Sequence, residues 1–253
     1  KKITIYINMD ITKLPKYISD WILNYRNSMP KKADSLVVGI SGGIDSSVTS
    51  TLSAMTGLKT IILSMPINQI KSQHDLSLKH LDWLKSKFDN VEGHMINLDL
   101  VFHSFKNTLS KFNNEHGLAN SKARLRMTTL YQVAAANNGI VVGTGNKIED
   151  LAVGFYTKYG DGGVDISPIA DCTKTQIWEM GKHLNILNEI IKADPTDGLW
   201  EDGRPDIQQL GMSYQDLEKA IENENSSNRS KYLEIRKLNL HKMEAIPICK
   251  IPK

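Results

Sequence analysis

The sequence is poor in features that mark several protein classes. It has only two cysteines, Cys172 and Cys249, which lie far apart and outside any Cys-x-x-Cys pattern, so neither a disulfide framework nor a structural zinc site is expected. No apolar run approaches the length of a bilayer span, and residues 1–10 are too polar for a signal peptide. These absences favour a protein of the reducing cytoplasm that has no membrane partner.

Excess charge is also absent. The chain of 253 residues carries 31 Lys and Arg against 28 Asp and Glu, a formal net charge of +3. Nucleic-acid binding usually needs a strongly basic face, so we expect no nucleic-acid partner. Internal repeats and obvious linkers are missing too, and the length suits one large α/β domain. We therefore expect residues 1–253 to form a single domain.

Short apolar segments alternate with helical patterns along the first half of the chain. Four segments are typical of strands that are buried on both faces: 36–40, 60–63, 94–98 and 140–143. The apolar residues between them recur at helical spacing. This alternation predicts an α/β fold with an open, mostly parallel, doubly wound sheet and helices on both faces. Ligands in such sheets bind beyond the carboxyl ends of the strands.

Two long stretches, 143–167 and 194–211, lack such periodicity. Both are rich in glycine and charged residues, and long irregular segments of a compact domain usually form binding loops. Helical patterns resume at 173–184, 214–221 and 229–243.

The strongest local motif follows the first predicted strand. It runs Gly39-Ile40-Ser41-Gly42-Gly43-Ile44-Asp45-Ser46-Ser47. Paired glycines allow a tight turn close to a ligand, and the helix that follows offers free N–H groups to an anion. A carboxylate at position 45 would repel phosphates unless a cation such as Mg²⁺ lay between them. The plainer interpretation is a tight strand-to-helix turn capped by Ser46 or Asp45.

The segment from Ser41 to Ser46 resembles the Ser-Gly-Gly-x-Asp-Ser loop of the ATP pyrophosphatases, which split ATP between its α- and β-phosphates. Several synthetases share that loop, but four later segments are more specific: 122–127, 143–149, 157–163 and 194–199. Together with His241-Lys242, they resemble the ammonia-dependent NAD synthetases over essentially the whole chain. The resemblance implies a Rossmann-like fold of the adenine nucleotide alpha hydrolase type.

The resemblance also implies a role for individual residues. Asp45 and Glu149 would bind Mg²⁺, with Asp150 as the alternative to Glu149, because the Gly143-Thr144-Gly145-Asn146 segment departs from the pattern of some family members. Lys174 would neutralise phosphate charge. The chemistry of the reaction, rather than the resemblance, suggests Asp161 or Asp165 as the group that holds ammonium, which must lose a proton before it attacks. The ATP contacts would be Gly39, Ile40, Ser41, Gly42, Gly43, Ile44, Asp45, Ser46, Gln73, Thr144, Lys174 and Thr196. Nicotinate adenine dinucleotide (deamido-NAD) would contact Arg124, Lys158, Asp165, His241 and Lys242.

The implied reaction is ATP-dependent amidation of the nicotinate carboxylate, through an acyl adenylate, to give NAD⁺, AMP and pyrophosphate. Free ammonia is the expected nitrogen source, because none of the forty residues before Ser41 is the cysteine that a glutamine amidase domain needs. Two alternatives remain open: another adenylating enzyme, such as a tRNA-modifying one, and a non-catalytic nucleotide-binding module. The resemblance also implies a homodimer, to which the helix that carries Ile18, Trp21, Ile22 and Tyr25 contributes unless those residues pack in the core.

Overall fold

The computed structural model describes residues 9–200 and 202–252. Its sheet has four parallel strands: β1 (Ser35–Ile40), β2 (Lys59–Ser64), β3 (Val91–Met95) and β4 (Gly139–Val141). Their order across the sheet is β3-β2-β1-β4. The order reverses beside β1, since the chain continues to β2 on one side and later returns to β4 on the other. Ligands of doubly wound sheets bind at such a reversal.

Ten α-helices occupy the described part of the chain. In chain order they are α1 (Leu14–Ser28), α2 (Ile44–Ala54), α3 (Lys71–Lys87), α4 (Asp99–Thr108), α5 (Glu115–Ala136), α6 (Lys174–His183), α7 (Asn188–Ile191), α8 (Asp206–Leu210), α9 (Tyr214–Glu222) and α10 (Arg229–Met243). A 3₁₀ turn covers Ser110–Phe112, and a π-helix covers Lys147–Val153. No helix among the described residues combines the length and the hydropathy that a membrane crossing needs.

Strands β1, β2 and β4 are largely buried on both faces, as the apolar segments predict, whereas the edge strand β3 is mostly exposed. Successive side chains of a strand point to opposite faces. Leu36 and Val38 of β1 therefore join an apolar cluster with α1, α2, α3 and α6. Val37, between them, joins a second cluster with α4 and α5. The doubly wound α/β fold is confirmed.

A third apolar cluster lies away from the sheet. It is formed by the π-helix, α9 and α10, with residues such as Ile148, Leu217 and Tyr232. Trp178 of α6 packs against this cluster and also against the one on the first face of the sheet. Through Trp178, α6 thereby connects the third cluster with the cluster on the first face of the sheet.

Three sequence expectations differ from the structure, and one of them is the irregular character of 194–211, which contains α8 (Asp206–Leu210). The third strand lies at Val91–Met95 rather than at 94–98, because the chain turns at Asn97, whose side chain accepts a hydrogen bond from the Asp99 N–H. The segment 143–167 contains the π-helix Lys147–Val153 and is not wholly irregular. A π-helix lacks the 3.6-residue period of an α-helix, so the spacing of apolar residues does not predict it.

Candidate active site

A cavity of about 490 Å³ opens at the carboxyl ends of β1 and β4. The segment after β1 forms one wall, and the segment after β4 forms another. The predicted ATP contacts all line it: Gly39, Ile40, Ser41, Gly42, Gly43, Ile44, Asp45, Ser46, Gln73, Thr144, Lys174 and Thr196. Glu149 and Asp161 line it as well. The structure thus brings together residues from five separate segments of the chain.

The turn after β1 is held by its own serines. Gly42 has a φ of +90°, and a Cβ placed there would lie 2.6 Å from the backbone oxygen of Gln73, so only glycine fits. The Ser46 hydroxyl accepts from the Ser41 N–H at 3.2 Å and donates to the Gly43 oxygen at 3.1 Å. Ser46 therefore closes the turn and leaves the first N–H groups of α2 open to an anion.

Lys174 lies between two carboxylates that come from different elements. Its Nζ donates to Asp45 Oδ2 at 2.5 Å and to Glu149 Oε1 at 3.2 Å. Only 2% of the Lys174 side chain is exposed, whereas Asp45 and Glu149 keep 17% and 16% open to the cavity. One buried ammonium group is therefore shared by the two predicted cation ligands.

The charges in this cluster shift one another's pKa values. Burial alone would lower the pKa of Lys174, but the Asp45 and Glu149 carboxylates outweigh it and raise that pKa. Burial raises the pKa of Glu149, and Asp45 adds to the rise against the opposing charge of Lys174. Lys174 is therefore a permanent cation, and the cluster still carries more acidic than basic groups.

Local capping sets the positions of these side chains. Asn146 is fully buried; its side chain accepts from the N–H groups of Ile148 and Glu149 and donates to Asp45 Oδ1 at 2.9 Å. Thr173 starts α6 with a capping box, which puts Lys174 at the first helical position. The two caps hold the π-helix and α6 in register with the turn after β1.

A tyrosine from further along the chain completes the cluster. The Tyr214 hydroxyl lies 2.6 Å from Glu149 Oε1 and 2.8 Å from Asp206 Oδ2. Burial, followed by the charges of Glu149 and Asp206, raises the pKa of Tyr214. Burial and the Glu149 charge raise the pKa of Asp206 to about 7. The Tyr214 hydroxyl has one hydrogen and can donate it to only one of the two carboxylates. The other contact is a hydrogen bond when the second carboxyl group, of Glu149 or Asp206, carries a proton that it donates to the hydroxyl oxygen.

The donor set fits a divalent cation that is bound together with nucleotide. Asp45 and Glu149 present carboxylate oxygens to the cavity beside the open N–H groups of α2. No group of three or more possible ligands clusters tightly enough to bind a metal alone among the described residues. Mg²⁺ typically takes one or two protein carboxylates and completes its shell with phosphate oxygens and water.

Comparison with known proteins identifies the family to which this site belongs. The model of the NAD synthase family matches residues 14–251, nearly the whole chain. The chain belongs to the NAD synthase family.

Individual members of the NAD synthase family are similar over most of their length. An NH₃-dependent NAD⁺ synthetase of Carboxydothermus hydrogenoformans is 39% identical, over 74% of this chain and 76% of its own. The structure of an NMN synthetase from Francisella tularensis superposes with a TM-score of 0.83 and 31% identity, covering 95% of this chain and 97% of that one. An NH₃-dependent NAD synthetase from Campylobacter jejuni gives a TM-score of 0.75 and 27% identity, with 96% and 100% covered.

The predicted dinucleotide contacts form a separate group. Arg124 donates to the backbone oxygen of Lys158, and Lys158 Nζ donates to the oxygen of His241 at 3.0 Å. Lys242 Nζ donates to the oxygens of Gly154 and Tyr156, and burial lowers its pKa against the opposing charge of Asp161. These contacts join α5 and the end of α10 to the segment after the π-helix, and none of the four residues is among the described residues that line the cavity. Their contact with deamido-NAD stays a prediction.

The two candidates for holding ammonium differ in their surroundings. Asp165 is exposed, and both of its carboxylate oxygens are already engaged, because Tyr131 Oη donates to one and the Val141 N–H donates to the other. Asp161 opens onto the cavity and accepts from the Thr157 N–H. The residue is exposed, and desolvation by the surrounding protein atoms raises the pKa of Asp161 to about 6. The geometry favours Asp161. For the metal ligand it likewise favours Glu149, which lines the cavity and contacts Lys174, over Asp150.

Sequence reasoning assigned no role to Arg126. It lines the cavity on the same face of α5 as Ala123, Met127 and Leu130, and its Nε donates to the Met65 oxygen at 3.0 Å. Burial lowers its pKa to about 10, so it stays charged. Arg126, Met127 and Leu130 follow Ala123 by three, four and seven residues, and this helical spacing indicates that the four share one face of α5.

Tyr214, Asp206 and Asn146 were also missed. Asn146 stands immediately before the π-helix, where an N-cap residue is typical. Tyr214 and Asp206 had no signal within their own segments, because their role arises only from contacts across the fold.

Proposed function

We propose that this protein converts deamido-NAD into NAD⁺ with ammonia, at the expense of ATP, which is cleaved to AMP and pyrophosphate. Such an enzyme is a C–N bond-forming ligase. The observation that carries the proposal is the cavity in which an anion-binding turn, the Asp45 and Glu149 carboxylates and the buried Lys174 ammonium meet. A binding module has no need for a buried cation that is already paired with two carboxylates, whereas phosphoryl transfer uses such charges.

The first step is attack of the nicotinate carboxylate on the α-phosphorus of ATP. A carboxylate oxygen is a poor leaving group until it becomes the bridging oxygen of an acyl phosphate, so adenylation prepares the carbon for attack. The N–H groups at the start of α2 hold the β- and γ-phosphates, and Lys174 offsets the charge that gathers on the departing pyrophosphate. Mg²⁺ held by Asp45 and Glu149 would offset further charge on the phosphate oxygens.

The second step is attack of ammonia on the acyl adenylate. Ammonium must lose a proton first, and Asp161 is the carboxylate placed to receive it. AMP then leaves with the electron pair of the carbon–oxygen bond. Neither step needs a covalent enzyme intermediate, so positioning and charge neutralisation supply the catalysis.

Free ammonia is the proposed nitrogen source. Release of ammonia from glutamine by an amidase requires a nucleophilic group at its own site, commonly a cysteine. The curated relatives that this chain matches over about three quarters of their length are named NH₃-dependent NAD⁺ synthetases. Glutamine should therefore not replace ammonium in the assay.

A second candidate substrate is nicotinate mononucleotide. The Francisella tularensis relative is an NMN synthetase, and its structure covers nearly all of both chains. NMN is the amide of nicotinate mononucleotide, so the same carboxylate chemistry would act on a smaller nucleotide. The cavity at the strand ends would bind ATP in either case, and the choice would depend on the basic group of Arg124, Lys158, His241 and Lys242.

A substrate comparison tests both candidates. The protein is incubated with ATP, MgCl₂ and ammonium chloride, together with either deamido-NAD or nicotinate mononucleotide, and the amide products are quantified by chromatography. We expect kcat/KM for deamido-NAD to exceed that for the mononucleotide by at least tenfold. The opposite ratio would establish an NMN synthetase, and no amide from either substrate with folded protein would reject the proposal.

Three wider properties belong to the same proposal. Residues 1–253 act as one domain, which is supported by the packing of Trp178 against two apolar clusters. The protein acts in the cytoplasm, which is supported by its two free cysteines. It functions as a homodimer, for which the exposed apolar residues of α4 provide a surface.

A further inference from the structure

The Tyr214 side chain contacts three groups of the site at once. Its hydroxyl lies 2.6 Å from Glu149 Oε1 and 2.8 Å from Asp206 Oδ2. The Lys174 ammonium lies 4.6 Å from the centre of its ring. The side chain is 5% exposed. A tyrosine from the start of α9 thus contacts both a predicted cation ligand and its lysine partner.

The ring is fixed independently of its hydroxyl. It packs edge-on against Trp178, with ring centres 6.4 Å apart, and belongs to the apolar cluster of α9 and α10. Ser213 caps α9 by accepting from the Asp216 N–H. Removal of the hydroxyl alone should therefore leave the ring, its contact with Lys174 and the helix in place.

The hydroxyl restricts the Glu149 carboxylate. Lys174 is the other side-chain hydrogen-bond partner of Glu149 in the described structure, at the longer distance of 3.2 Å. Both contacts are made to Oε1, from different helices, and they leave Oε2 as the carboxylate oxygen without a hydrogen bond among the described residues. Two contacts restrict the orientation of the carboxylate more than the single, longer contact with Lys174 would.

Asp206 is the second partner of the hydroxyl. It is buried, and its backbone N–H donates to the Pro195 oxygen at 2.9 Å. The hydroxyl therefore connects Glu149 of the π-helix with Asp206 of α8, whose backbone is bonded to the segment that carries Thr196.

We propose that Tyr214 is a positioning residue, whose hydroxyl orients the Glu149 carboxylate so that a divalent cation and ATP bind together. Tyr214 itself touches neither the nucleotide nor the reacting atoms. The inference rests on the proposed function only for its activity measurement, since the binding of metal and nucleotide can be measured without turnover.

The test compares Tyr214→Phe with the wild type by calorimetric titration of α,β-methylene-ATP, with and without MgCl₂. The quantity of interest is the factor by which Mg²⁺ strengthens nucleotide binding. We expect this factor to fall at least fivefold in Tyr214→Phe, while affinity without Mg²⁺ stays within twofold of the wild type. In turnover, the Mg²⁺ concentration for half-maximal rate should rise about tenfold, and high Mg²⁺ should restore most of kcat.

Tyr232→Phe is the matched control, because Tyr232 is a buried tyrosine of the same apolar cluster. In Tyr232→Phe, Mg²⁺ should strengthen nucleotide binding by the same factor as in the wild type. An unchanged factor in Tyr214→Phe would overturn the proposal, and so would failure of that variant to fold, which would give the hydroxyl a structural role. If the wild type bound Mg²⁺ and nucleotide but formed no amide, the proposed function would fail while the binding comparison still decided the role of Tyr214.

Discussion

Lys174 is the residue on which the charge balance of the site depends. It is buried to 2% exposure between Asp45 and Glu149, and both carboxylates face the cavity. Without its ammonium group the two carboxylates would repel each other and the incoming phosphates. Catalysis should therefore be more sensitive to the charge of Lys174 than to its packing.

The variant Lys174→Met keeps most of the side-chain volume and removes the charge. We expect kcat to fall by about 10²–10³-fold, the size of effect seen when one preorganised charge-stabilising group is lost. The melting temperature of this variant should also rise more on addition of MgCl₂ than that of the wild type. Lys182→Met, which changes an exposed lysine of the same helix, serves as the control. Equal kcat values for the two variants would contradict the role of Lys174.

His80 provides a pH-dependent contribution to stability away from the cavity. It is fully buried in α3, its Nε2 lies 2.9 Å from Ser50 Oγ, and its Nδ1 has no partner among the described residues. Burial lowers its pKa from 6.5 to about 4. The unfolded chain therefore binds the proton more readily, and acid favours unfolding.

This contribution is fully present above about pH 6.5 and is lost as the pH falls toward 4. Between pH 7.5 and pH 5, the free energy of unfolding should decrease by about 2 kcal/mol from His80 alone. Urea unfolding at the two pH values measures the loss. The variant His80→Gln keeps a polar group but cannot titrate. Its free energy of unfolding should therefore change by about 2 kcal/mol less between the two pH values than that of the wild type. An equal change in the two proteins would contradict the role of His80.

At the scale of elements, the turn between β1 and α2 depends on the backbone of Gly42. An alanine there would combine a left-handed φ with a Cβ 2.6 Å from the Gln73 oxygen and 2.9 Å from the Ser77 nitrogen of α3. Gly57 shares the positive φ, at +76°, but has no atom within 4 Å of the Cβ position. The two glycines therefore separate backbone strain from steric conflict.

We expect Gly57→Ala to cost about 1 kcal/mol, the strain of a left-handed residue. Gly42→Ala should cost clearly more, and it should raise KM for ATP because α3 and the turn must move apart. Chemical denaturation and steady-state kinetics of both variants test this. Equal stability losses with an unchanged KM in Gly42→Ala would show that the close approach of α3 does not matter.

The elements also show how far the sequence alone predicts this molecule. The turn after β1 was predictable, because its chemistry is contained in consecutive residues that follow a buried strand. The π-helix was not, since its hydrogen-bond pattern has no 3.6-residue signature. Asp206 and Tyr214 lie more than fifty residues from Glu149 in the chain, and only the packing of α8 and α9 brings them to it. Site residues placed by tertiary contacts leave no local pattern.

At the scale of the whole molecule, α4 and the turn after it present an unusual apolar surface. Leu100 is 84% exposed and Phe112 is 80% exposed, and patches of this kind commonly mark protein interfaces. Ile18 and Ile22 of α1 are buried in the core, whereas Trp21 and Tyr25 stack on each other at the surface. The α4 surface is therefore the better candidate for the proposed homodimer.

Sedimentation equilibrium should give twice the chain mass of 28.4 kDa at micromolar concentration. The double variant Leu100→Glu and Phe112→Ser should sediment as a monomer, because it places a charged and a polar side chain in the proposed dimer interface. The exposed Ile207→Ser of α8 is the control and should remain dimeric. A monomeric wild type would reject the homodimer.

In the proposed function, adenylation of a nicotinate carboxylate and its amidation take place in the same cavity. The most direct measurement quantifies every product of one incubation with ATP, MgCl₂, ammonium chloride and deamido-NAD. We expect NAD⁺, AMP and pyrophosphate in equal amounts, and no AMP when deamido-NAD is omitted. Formation of ADP and phosphate, or consumption of ATP without NAD⁺, would contradict the proposed function.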